Sequence, residues 1–283
     1  NISLKTGCVA PNTLKTTIIT TEQGSVPIAI WEAMDGIYIF DNTSPRRIDG
    51  DIKNFFDKNE SNTRKVHASY RNLHYGEVDE VNRTYHWHFA DGASTGTLNR
   101  ELVCKLDEGF KWYEIDRSSG KYIQCHIGVT DTNGNSYNYG FIDTGYMERL
   151  ENGSTFDGSS IDCTVQLGDF VPNPDGNIWQ KSQLIACRFV AKGEATSINN
   201  YALTHYGDSD SSGTSLTAVD VTPVANHRIL QSYEDLNIGD STVRADAIFH
   251  SLKITKTADD STRAELLFLA LQFNEIDVDK EAR

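Results

Sequence analysis

Two histidines stand one residue apart in Tyr85-His86-Trp87-His88-Phe89-Ala90-Asp91. In a β-strand successive side chains alternate between faces, so His86 and His88 would share one face and Trp87 and Phe89 the other. Two imidazoles on one face begin a transition-metal site, which gathers N, S or O donors at about 2 Å from the ion. Cys125 and His126, on a later hairpin, would supply the next ligand if the strands pair. Against this, Trp87 and Phe89 give the strand a strongly apolar second face, and a half-exposed strand carries histidine readily. The reading is a structural strand, with Trp87 and Phe89 packed inward and the histidines facing outward or toward a neighbouring subunit. No metal, no cofactor and no catalytic residue is assigned.

Other chemistry is weighed the same way. Asp208 to Gly213 opens like a calcium loop, but its twelfth position is Val219 where a bidentate carboxylate is needed, so it reads as an exposed turn-rich loop. Glycoside hydrolysis needs two acids set across a cleft. With 40 acidic residues, spacing alone nominates no pair, and Asp35-Gly36, Asp157-Gly158 and Asp175-Gly176 are turn formers. Glycine-rich phosphate loops do not occur. Trp31, Trp87, Trp112 and Trp179 could stack on sugars, although core packing is the default for such residues. The five cysteines are odd in number and form no C-x-x-C pair. They read as reduced, mostly buried thiols, which points to assembly in a cytosol.

The elements that must position these residues show period two almost throughout. Residues 28–42 read as a hairpin turning at Asp35-Gly36, and residues 121–143 as one turning at Asn133-Gly134. Strands are expected over 84–91, 101–116 (broken by an acidic residue and glycine) and 144–153. Residues 46–59 carry Ile48, Ile52, Phe55 and Phe56 at near-helical spacing and predict a short helix. Beyond a turn cluster at 153–160, strands are expected over 161–170 and 181–193, and 249–277 reads as a strand, a loop and a strand. In the last, Leu267, Leu269, Leu271 and Phe273 face one way and Leu266, Phe268 and Ala270 the other, which predicts a central sandwich strand or one covered by a neighbour. The fold class is all-β, with β-propeller-type blades over 1–153 followed by a β-sandwich over 154–283.

Charge and hydropathy limit the partners. A net charge of −14 excludes ordinary binding to a phosphate backbone, which needs clustered Lys and Arg. No apolar run approaches 18 residues, so no membrane span is expected. The chain begins at Asn1 without an initiator Met and reads as a processed product or a piece of a longer protein.

Gly7-Cys8-Val9-Ala10-Pro11, residues 30–56 with their Asp35-Gly36-Ile37-Tyr38 hairpin and Phe55-Phe56 close, residues 145–170, and the final pair of strands over 250–273 together resemble the tail nozzle, or tail tubular protein B-like, family of short-tailed bacteriophages. The likeness runs through most of residues 7–277 as scattered short motifs and matches the C-terminal part of such proteins. It implies a structural virion protein without catalytic residues, assembled in the host cytoplasm into the phage tail. It further implies a homo-oligomeric, hexameric ring that meets portal, adaptor and tail fibre proteins while DNA passes through without sequence-specific binding. An acidic lumen would suit that role, and the apolar strand 266–273 would supply subunit contacts. The alternative is a carbohydrate-binding or glycoside-hydrolysing β-protein, and a secreted propeller lectin is a weaker third choice.

Overall fold

In the computed structural model the chain divides into two compact units, Asn1–Asn152 and Gly153–Arg283. The structure describes residues 6–21, 24–57, 59, 63–117, 119–150, 155–156, 159–160, 162–172, 180–193, 199–208, 210–216, 219–221, 230–235, 246–256 and 264–275. Trp179 and the Asp157-Gly158 and Asp175-Gly176 turns lie outside them. The fold is all-β: propeller-type blades, then a sandwich.

The first unit is built from antiparallel meanders in which each strand pairs with the next in sequence. β1 (Lys15–Thr21), β2 (Gly24–Ala33), β3 (Gly36–Phe40) and β4 (Pro45–Arg47) form one four-stranded sheet. β5 (Tyr75–Asp79), β6 (Thr84–Phe89), β7 (Arg100–Lys105) and β8 (Lys111–Ile115) form a second. β9 (Ile123–Thr130), β10 (Ser136–Ile142) and β11 (Met147–Arg149) form a three-stranded third. Local chemistry sets the turns. Ala33 lies opposite Gly36, so Met34 and Asp35 make a two-residue loop between β2 and β3. Between β9 and β10, the Asp131 carboxylate accepts from the backbone N–H of Asn133 and Asn135, and Gly134 takes the positive φ of +83° that closes the turn.

The core joins the first two sheets. Ile30, Ile37 and Ile39 pack with Tyr85, Trp87 and Phe89, and Phe55, Phe56 and Trp112 lean on the cluster. The helix expected over 46–59 is a tight 3-10 helix, Gly50–Phe56, that buries Ile52. Its apolar spacing delivers Phe55 against Phe89 and Phe56 against Trp87. Close approach needs Gly76, which lies opposite Trp87 in the β5–β6 register. A Cβ there would strike the ring of the fully buried Tyr85, whose hydroxyl is tied to the Thr13 carbonyl at 2.8 Å.

In the second unit β12 (Thr155–Phe156) and β13 (Ser159–Ser160) pair in a short hairpin. β14 (Cys163–Gln166), β16 (Asn199–Gly207), β17 (Thr214–Ser215), β18 (Val219–Val221) and β21 (His250–Lys256) make one sandwich sheet. β15 (Ser182–Gly193), β19 (Leu230–Asp235), β20 (Asp246–Ala247) and β22 (Ala264–Glu275) make the other. Leu184 and Cys187 from one sheet meet Leu203, Leu252 and Ile254 from the other, with Leu269, Leu271 and Phe273 packed against them. β22, expected as a central strand or one covered by a neighbour, is not central among the described residues. Among the described residues it pairs only with β15, and Phe268 on its outer face is 53% exposed. The run of apolar residues reflects one buried face and one open one.

Candidate functional site

β6 is the strand that carries the paired histidines, and all six of its residues are buried. As an interior strand of the second sheet it has a covered face on each side. Tyr85, Trp87 and Phe89 enter the core shared with the first sheet. His86 and His88, on the other face, meet His126 of β9. The expectation that these histidines face outward is therefore corrected: both are 1% exposed, as is His126. Their rings are stacked at 6.3 Å and 20°, and His126 stands nearly perpendicular to His86 at 4.9 Å. One nitrogen from each of the three lies within 4.8 Å of the others, so this is the set that could hold a metal ion. Cys125, its neighbour in sequence, falls on the opposite face of β9 by strand alternation and is half-buried there.

Glu101 and Arg117 complete the cluster, and sequence reading nominated neither. Glu101 lies opposite His88 in the β6–β7 register. One of its oxygens accepts from His86 Nδ1 at 3.0 Å, and the other accepts from Arg117 Nε at 2.6 Å. Burial works to raise the Glu101 pKa, but His88, the His86 hydrogen bond and Arg117 together hold it far below the usual carboxylate range. His86 Nε2 meets the Thr84 hydroxyl at 3.1 Å. His88 is different: neither ring nitrogen has a hydrogen-bond partner. Burial pushes its pKa down to about 4, against the pull of Glu101, so the ring is neutral near pH 7. Burial, followed by the charges of His86 and His88, pushes His126 down to about 2, and the Asn138 side chain works weakly the other way. A cavity of about 10 Å³ borders His88, Glu101 and Arg117, about the room one water needs.

A second histidine pair sits in the sandwich. His205 Nε2 and His250 Nδ1 are 2.8 Å apart, and His250 Nε2 lies 3.0 Å from the Ala247 carbonyl and 2.9 Å from the Ser182 hydroxyl. A carbonyl only accepts, so His250 carries its hydrogen on Nε2 and accepts from His205 at Nδ1. With Nε2 already protonated, His250 is no base for Ser182, and the serine is not an activated nucleophile. Burial, then the His250 charge, lowers the His205 pKa to about 4. Above pH 6.5 folded and unfolded chains both hold this ring neutral. Between 6.5 and 4 the unfolded chain takes up a proton that the fold refuses, so the second unit loses stability as pH falls through that window. The urea midpoint of that unit should drop between pH 7 and pH 4.5, and the drop should shrink in His205→Gln.

The remaining nominations resolve into structure. In the 208–213 loop Asp208 accepts from the backbone N–H of Ile248 and Phe249, and Asp210 from Ser212, which leaves those oxygens engaged. Trp31 donates to the Thr6 carbonyl and Trp112 to the Ile48 carbonyl, both as packing residues. The cysteines are more mixed than expected: Cys104 and Cys187 are buried, but Cys8 and Cys163 are exposed. Burial pushes the Cys187 thiol up to about 12, so it is not a reactive thiolate.

The open surface of the first sheet carries a shallow groove of about 560 Å³. Ile18, Ala29 and Phe40 are among its apolar lining residues, and Thr16, Asn42 and Glu80 among its polar ones. Asn42 sits just beyond β3 with a φ of +70°, a conformation asparagine tolerates well. Glu80 accepts from the Thr17 hydroxyl at 2.7 Å and pairs with Arg83 at 2.8 Å. No helix among the described residues is long and apolar enough to cross a membrane.

No family model and no curated protein matches the chain. Two solved structures are similar to it in fold. One is an exo-β-1,3-galactanase from Phanerochaete chrysosporium with galactose, at 9% identity and a TM-score of 0.25, covering 92% of this chain and 57% of its own length. The other is a glycoside hydrolase family 43 arabinoxylan arabinofuranohydrolase from Bacillus subtilis in complex with cellotetraose, at 7% identity and a TM-score of 0.24, covering 92% of this chain and 79% of its own. The chain thus spans little more than half the length of the galactanase. These matches correct two expectations from the sequence, the structural tail-protein function and the absence of enzymatic activity: both similar structures are glycan-processing enzymes, the class held as the alternative. At such TM-scores the likeness transfers neither a reaction nor a substrate.

Proposed function

We propose that this is a carbohydrate-binding β-protein that seats a saccharide in the groove of the first sheet. The groove's make-up is the observation that carries the reading. A pyranose offers apolar C–H faces and a rim of hydroxyls. The groove offers the Phe40 ring and Ile18 beside the Thr16 hydroxyl, the Asn42 amide and the Glu80 carboxylate. Its volume falls within the range of small-molecule sites. An aromatic ring gives area and a defined stacking direction, while hydroxyl and amide groups fix orientation.

Hydrolysis would require more than binding. Two carboxyl groups must flank the scissile bond, about 5–5.5 Å apart in retaining enzymes and about 6.5–9.5 Å in inverting ones. Glu80 is the acid among the groove's described lining residues.

A glycan array probed with the full chain tests the reading, followed by a reducing-end assay on any glycan retained. Binding is expected to weaken about tenfold in Phe40→Ala, the cost of losing one stacking ring. Release of reducing ends that stops in Glu80→Gln would extend the reading to hydrolysis. An array with no retained glycan overturns it.

A further inference from the structure

We propose that His86, His88 and His126 bind one borderline divalent transition-metal ion, zinc first among them, and that the ion ties the second sheet of the first unit to the third. The argument is independent of the groove. Buried polar atoms in folded proteins are nearly always hydrogen-bonded, and each exception calls for a cause. Here a fully buried imidazole, His88, points both nitrogens at no partner, and His126, from another sheet, stands beside it with only the Asn138 side chain in weak reach. Leaving such groups unpaired is costly. A metal bond satisfies a lone pair that no protein donor reaches.

The donor set fits a particular chemistry. Three imidazoles without a thiolate suit zinc and its neighbours better than magnesium or calcium, which prefer oxygen. The rings must be neutral to ligate. His86 is already arranged as a metal ligand: its Nδ1–H is held by Glu101, so Nε2 is the ligating atom once the Thr84 hydroxyl turns away. A carboxylate on the far nitrogen of a ligating histidine fixes its tautomer and raises its basicity. Arg117 on the other Glu101 oxygen keeps that carboxylate ionised and in place.

Distances agree with a small adjustment. Tetrahedral ligation at about 2.1 Å sets nitrogens about 3.4 Å apart. From separations within 4.8 Å the rings would draw in by no more than about 1.4 Å. A cavity of about 10 Å³, room for one water, borders His88. Because every protein ligand is buried, the site is closed to a substrate and its ion is architectural. His86 and His88 come from β6 and His126 from β9, so the ion would cross-link two sheets that otherwise meet through side chains.

A buried site loads slowly, so the full chain is unfolded in denaturant with a chelator and refolded with Co²⁺ or Zn²⁺. Unbound ion is then removed and the bound metal counted. One ion per chain is expected, with the intense visible absorption of tetrahedral Co²⁺, bleached by Zn²⁺, and a higher Tm for the loaded chain. His88→Gln and His126→Gln should abolish the tetrahedral spectrum, and Glu101→Gln, acting as a positioning change, should weaken affinity by about 10- to 100-fold. Should a histidine variant fail to fold, the wild-type stoichiometry and the histidine ring resonances shifted by Co²⁺ decide alone. Substoichiometric metal in refolded wild type, or a Co²⁺ spectrum that survives both histidine substitutions, overturns the proposal.

Discussion

Trp87→Ala is expected to cost the first unit about 4 kcal/mol, near the middle of the range for emptying a large aromatic from a core, and to abolish its cooperative unfolding if the unit's total stability lies at the low end of the ordinary 5–15 kcal/mol. The side chain is fully buried and stacks on Phe89 at 4.1 Å and on Phe56 at 5.4 Å. It also meets the edge of Trp112 at 6.5 Å. Removing it opens a void that three other rings line, and rings are poor at collapsing into space. There is a polar penalty too. The Trp87 indole N–H donates to Glu32 at 3.1 Å, and Glu32 is wholly buried, with His74 at 2.7 Å as its other short partner. Trp87→Phe should therefore recover most of the packing and leave a residual loss of about 1–2 kcal/mol, the cost of one lost bond to a buried charged group. Urea unfolding followed by Trp fluorescence and far-UV circular dichroism measures both. A loss below about 2 kcal/mol for Trp87→Ala would mean that the sheets close over the void, contrary to the packing described.

Glu101→Leu in metal-free protein is expected to destabilise the first unit by about 3–5 kcal/mol, the range for removing one partner of a buried ion pair. The carboxylate is 3% exposed and Arg117 9%, so the substitution removes a buried bond to the guanidinium and one to His86 Nδ1 together. The conservative Glu101→Gln keeps one acceptor and should lose less. Equal stability for all three chains would show that Arg117 swings to solvent at no cost, and would remove Glu101 as the organiser of the histidine cluster.

Much of the fold could be read before any coordinates, because period-two patterning and turn chemistry are local. The hairpins around Asp35 and Asn133-Gly134 follow from residues within a few positions of the turn. The inward face of β6 follows from Trp87 and Phe89. What covers the opposite face of β6 does not, because it depends on His126 arriving from a strand some forty residues later. Glu101 was equally hidden: in sequence it is one of 40 acids, and only pairing of β6 with β7 sets it opposite His88. The nearest available signal was a carboxylate in a strand whose alternation puts it beside Val103, a face that ought to be buried. Phe268 shows the converse limit, since period two marks both faces of its strand as apolar without saying that, among the described residues, β22 pairs with β15 alone.

The strand pairing within the two units sets different demands on a growing chain. In the first unit each strand finds its partner next in line, often after a turn of two to five residues, so a sheet can form as soon as its own residues are available. In the second, Cys163 is matched with Lys256 and Ser182 with Glu275. Closing such long loops costs entropy before any contact repays it, and folding slows accordingly. On a ribosome the first unit can build sheet by sheet behind the exit, whereas β14 and β15 must wait for β21 and β22 to be made, with Leu184 and Cys187 of β15 uncovered until then. That interval is when the second unit is most exposed to aggregation and to capture by chaperones.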